Sequence, residues 1–182
     1  MPPMPVRSPA QRFQRLLAVA RFDAVSLAVV AGPAAVAALF LREWFAAGVG
    51  TIVAGCGWLE WRSQRRLARG QLHGLAGMVA AQLLCLGAIL AYAHHLAGQV
   101  RADHILQLLP AFSREQLFLS FPDPAGAEAF LRLVQRLMVG AVALAAVLCQ
   151  GTMAFYYLRS RSFVRPLLAA PPRLDPPPAP QR

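Results

Sequence analysis

Residues 62–92 read RSQRRLARGQLHGLAGMVAAQLLCLGAILAY, and they set the frame for the rest of the chain. Arg62, Arg65, Arg66 and Arg69 crowd its beginning, and no further charge occurs until Arg101. An uncharged apolar run of this length suffices for a helix to cross a bilayer, which takes about 20 residues. The expected class is therefore an all-α integral membrane protein.

Composition agrees. Of 182 residues 57% are apolar and 14% charged, against about 25% charged in soluble domains. The net charge of +10 is carried by arginine alone, since lysine is absent. Asparagine is missing too, a bias that resembles GC-rich coding and weakens any argument from glycine or alanine spacing. The arginines flank apolar segments instead of forming one face with interleaved aromatics, so no nucleic-acid partner is expected. Cys56, Cys85 and Cys149 lie singly inside separate apolar segments, where they read as small packed residues.

Working outward, residues 1–8 are proline-rich and expected to be disordered. Ser8, Pro9 and Gln11 form a capping box with proline at the first helical position. An amphipathic interfacial helix is expected over 9–22, with Phe13, Leu16, Leu17 and Ala20 on one face; the alternative is that this segment is simply the start of the first span. Asp23 then reads as the cap of span one, about 24–41, with Pro33 near its middle. A cleaved signal peptide is the rival reading, but the apolar run exceeds the usual 7 to 15 residues or so of such signals. Arg42 and Glu43 mark a tight turn into span two, about 44–59, which Trp44 bounds at one end and Trp58 with Trp61 at the other. Span three covers about 72–92. The connection 99–127 contains two short amphipathic pieces separated by Pro110, and its apolar Leu117, Phe118 and Phe121 are candidates for docking a protein partner. Asp123 and Pro124 start the last helix, in which Glu128, Arg132 and Arg136 lead into span four, about 137–158. The membrane domain so drawn covers 23–165, and the proline-rich remainder, 166–182, reads as a disordered tail.

Charge orients the spans. Arginines gather in the N-terminal segment, in the loop carrying Arg62, Arg65, Arg66 and Arg69, and after span four at Arg159, Arg161 and Arg165. Under the positive-inside rule both termini face the cytoplasm, in a bacterial inner membrane. Glu60, between Trp58 and the arginines, reads as an interfacial anion paired with an arginine. Thr51, Gln82 and Gln150 fall at similar depths, roughly 10 to 12 Å from the cytoplasmic ends of their spans at about 1.5 Å per residue, and form a candidate intramembrane polar layer.

Reactive chemistry is sparse. His73, His94 and His95 share one span and His104 lies in the outer loop, so a bis-histidine haem lacks its second helix. There is no Cys-x-x-Cys, no serine nucleophile motif and no phosphate-cradling glycine loop. No catalytic residue, metal site or cofactor is expected. The sequence points to a non-enzymatic membrane protein acting through self-association or as an accessory subunit of a membrane complex. The alternative is a small-solute or ion channel or transporter, working as an oligomer through Thr51, Gln82 and Gln150.

Overall fold

The computed structural model describes residues 8–99, 110–121 and 123–169, and every regular element among them is helical. In chain order these are α1 (Pro9–Phe40), α2 (Trp44–Ala68), α3 (His73–Gln99), the short α4 (Ala111–Ser120) and α5 (Pro124–Ala169). By length and composition α1, α3 and α5 are each sufficient to cross a membrane. The second helix is not among them, because its apolar part ends at Leu59 and its last turns carry three arginines, with a fourth at the cap.

The capping box forms as read: the Ser8 hydroxyl accepts the Gln11 N–H at 3.3 Å, and the Ser8 N–H donates to Gln11 Oε1 at 3.1 Å. From there α1 continues unbroken to Phe40. The expected boundary between a surface helix and span one is absent, and Asp23 sits inside the helix. The apolar face read from the sequence does exist, but it faces the other helices. Leu16 and Ala20 are fully buried in one core with Leu67 of α2, Leu75 and Met78 of α3, and Tyr157 and Val164 of α5, while Phe13 and Leu17 flank it.

Both interhelix turns close by the same device. After α1, Arg42 takes a left-handed conformation (φ 59°), its N–H reaching Leu39 O at 3.0 Å and that of Glu43 reaching Ala38 O at 2.9 Å. After α2, Gly70 (φ 84°) donates to Leu67 O at 2.9 Å and Gln71 donates to Arg66 O at 3.0 Å. These are Schellman caps, which satisfy the last carbonyls of a helix and reverse the chain. Thus α1, α2 and α3 run up, down and up as adjacent neighbours.

Contacts between them are close where glycine permits. A methyl group at Gly57 would lie 2.7 Å from the Ala24 carbonyl oxygen, and one at Gly74 would lie 2.8 Å from the Leu67 nitrogen. Gly48 and Gly55, on the outward side of α2, face open space. A smaller core of Cys56, Ala81 and Cys85 joins α2 to α3, with Leu27 of α1 against it. Cys149 departs from the sequence expectation, being exposed.

The fifth helix packs along α3 and meets α1 mainly at the Leu16 end. Near its other end, Gln135 Nε2 donates to Leu96 O at 3.2 Å. It begins at Pro124, with Asp123 Oδ1 accepting the Ala125 N–H at 3.2 Å, and Glu128 pairs with Arg132 one turn on. It runs through Pro166 to Ala169, past the expected end of the membrane domain at 165.

Candidate functional site

Four helices each deliver one polar side chain to a single point inside the bundle. Counting back from the α1–α2 turn reaches Asp23 on one strand of the hairpin and Glu60 on the other. Counting from the α2–α3 turn pairs Glu60 with Gln82 in the same way. Tyr157 comes from α5. Glu60, Gln82 and Tyr157 are fully buried, and Asp23 is half-buried.

Gln82 is the hub. Its Nε2 donates to Asp23 Oδ2 at 2.6 Å and to Glu60 Oε2 at 2.9 Å. The Tyr157 hydroxyl donates to Glu60 Oε1. Both Glu60 oxygens therefore have hydrogen-bond partners, as a carboxyl group withdrawn from water requires, since burying a polar group unpaired costs a few kcal/mol. With its nitrogen between two carboxylates, the amide turns its oxygen away from them, and Gln82 Oε1 is buried without a partner. Chemically, two carboxyl groups held by one amide tie three helices together and resist a change in helix register. Ser63, also buried, lies where α2 crosses Gly74 and Gly77 of α3.

This network only partly coincides with the sequence reading. Of Thr51, Gln82 and Gln150, Gln82 alone joins it. Thr51 is exposed and its hydroxyl donates to its own helix at Ala47 O, 2.8 Å away. Gln150 is half-buried on α5, with a buried Oε1 that has no partner. The three do not form one layer, because depth alone places residues at a level and the helix face decides whether they meet. Glu60 was expected to pair with an arginine at the surface; it points inward to Tyr157 and Gln82, and among the described residues the one ion pair is Arg132–Glu128. Two members are not marked as site residues by the sequence, Asp23, which reads as a helix cap, and Tyr157. The hairpin count was the signal that would have found Asp23.

The arginines at the start of α1, at the end of α2 and at the end of α5 lie at the end of the bundle that carries the α2–α3 turn, whereas Arg42, Arg132 and Arg136 lie toward the other end. Arg62 and Arg65 extend over the rings of Trp58 and Trp61, at 5.2 and 3.7 Å from the ring centroids. Arg159, Arg161 and Arg165 occupy the last turns of α5 and are exposed. At the opposite end the His95 ring stacks on Phe45 at 3.8 Å. His104 lies outside the described residues.

The candidate docking segment is helical in part, as α4. The side chains of Leu117 and Phe118 lie outside the described residues. Phe121 is half-buried and stacks on Phe130 of α5 at 5.0 Å. Around it Phe112 and Leu119 are 69% and 79% exposed, and on α5 Leu137 and Met138 are exposed as well. Compared with protein-family models, with curated proteins and with solved structures, the chain matches none of them.

Proposed function

We propose that the chain is a multi-pass inner-membrane protein of four spanning helices with both termini cytoplasmic, acting through association, either with itself or as a subunit of a membrane complex. The observation that carries this is the length of α5 together with its exposed surface. Its 46 residues span about 69 Å at about 1.5 Å per residue, more than twice the roughly 30 Å hydrocarbon core. A large part of α5 must then stand outside lipid on one side or both. On the side away from the arginines it carries α4, and there Phe112 and Leu119 are apolar and uncovered. Apolar surface outside the bilayer is a docking surface for protein. The second helix serves as the fourth span because it lies between two longer apolar neighbours, with tryptophans at both ends of its apolar part. The gathering of arginines at the α2–α3 end supports cytoplasmic termini.

The test is to place charge on that surface. Leu119→Asp or Phe112→Asp should dissociate the complex on size-exclusion chromatography in mild detergent while helical content stays unchanged. An undisturbed elution position for both variants would sink the docking reading.

The Asp23–Gln82–Glu60–Tyr157 network favours a second reading, movement of a proton or small cation by an oligomer of the chain, since ionisable groups within a spanning bundle commonly mark ion pathways. Gln82→Leu should then abolish flux in proteoliposomes while the protein still folds. Flux that survives this change would reduce the network to packing.

A further inference from the structure

At the C-terminal end of α2, four guanidinium groups and two indoles build a cleft of about 500 Å³, walled by Trp58, Trp61, Arg62, Arg65, Arg66 and Arg69. Its charge is unopposed. Glu60, the acid nearest in sequence, is buried and occupied by Tyr157 and Gln82, and no described carboxylate pairs with any of the four arginines. The Schellman cap at Gly70 satisfies the carbonyls of Arg65, Arg66 and Leu67, so these do not compete for the guanidinium groups. Stacking over Trp58 and Trp61 holds Arg62 and Arg65 in place before any ligand arrives. Preordered guanidinium forks suit a phosphate, which they bind in bidentate fashion.

Above the cleft, on the same face of α2 at helical spacing, lie Gly55, Thr51 and Gly48, all exposed. Gly48 and Gly55 have open space over them. Together with the exposed ring of Trp58 they form a shallow track leading from the arginines toward the apolar half of the helix. A second copy of the chain is a poor occupant. In a membrane two copies related by a two-fold would run parallel there and bring Arg62 and Arg69 against their own counterparts.

We propose that this cleft is a binding site for an anionic phospholipid of the inner leaflet, the phosphate held by Arg62, Arg65 and Arg69 and one acyl chain laid along Gly55, Thr51 and Gly48. The assignment rests on the membrane reading above for the lipid's access to the site. Binding in detergent does not depend on orientation, so reporter fusions at both termini test that reading separately.

The experiment is native mass spectrometry of the full-length protein, purified in detergent and stripped of lipid, then titrated with phosphatidylglycerol, phosphatidylcholine or inorganic phosphate. One phosphatidylglycerol should bind per chain, roughly tenfold more tightly than phosphatidylcholine. Arg62→Gln with Arg65→Gln should abolish that preference, while the remaining arginines keep the chain's orientation. Gly55→Leu, whose added Cβ has no atom within 4 Å, should weaken phosphatidylglycerol binding, because it obstructs the track and spares every arginine. Equal affinity for the two lipids, or an unchanged preference in the double-arginine variant, would overturn the proposal. So would normal lipid binding by Gly55→Leu. Displacement of phosphatidylglycerol by inorganic phosphate at similar concentration would also overturn it, assigning the cleft to a free anion.

Discussion

Each donor in the Glu60 network has a consequence that can be measured. Tyr157→Phe removes one O–H and leaves Glu60 Oε1 buried without a partner, at a cost of about 1–3 kcal/mol. Gln82→Leu removes the donor shared by both carboxyl groups and should cost about 3 kcal/mol, the upper end for leaving a buried polar group unpaired. Thermal unfolding in detergent should rank the two variants in that order. Thr51→Val should change stability by less than about 0.5 kcal/mol, because its hydroxyl bonds only to its own helix. Gln150→Leu should be neutral or stabilising by about 1 kcal/mol, since it removes an acceptor that is buried and unpaired. A large loss from either of these last two changes would restore the polar layer drawn from depth.

At the scale of the element, glycines divide by what faces them. Gly57→Ala drives a methyl group to 2.7 Å from the Ala24 carbonyl oxygen and should destabilise by about 1–3 kcal/mol. Gly55→Ala, two residues earlier and facing open space, should stabilise α2 by up to about 1 kcal/mol through helix propensity alone. A similar unfolding midpoint for the two variants would contradict the helix packing described. The same division explains how far the sequence could be read. Helix starts and turns are local, so Ser8 with Gln11 and the reversal at Arg42 and Glu43 were legible. The apolar face of Phe13, Leu16, Leu17 and Ala20 was legible as a periodicity, but its partner was not. A bilayer surface and a bundle core attract the same side chains, and only the structure puts Leu16 against Leu67 and Met78. Asp23 was misread for a related reason, since an aspartate before an apolar run suits a helix cap, and its actual partner lies 59 residues away on α3.

At the scale of the whole molecule, the three neighbouring helices α1, α2 and α3 form a glycine-mated unit, and α5 is attached along one side of it. That asymmetry leaves much of α5 without a partner among the described residues, and the proposed association builds on it. In the proposed membrane setting, reporter fusions at residues 1 and 182 should both score cytoplasmic, and a reporter inserted within 111–120 should score external. Any other pattern would reverse the assignment of the arginine-rich end. The most direct test of association is native mass spectrometry of the unmodified protein released gently from its own membrane. A defined assembly is expected, either several copies of the chain or this chain with a second protein in fixed ratio, and it should be lost with Leu119→Asp. A bare monomer under the mildest extraction that keeps other membrane complexes intact would contradict it.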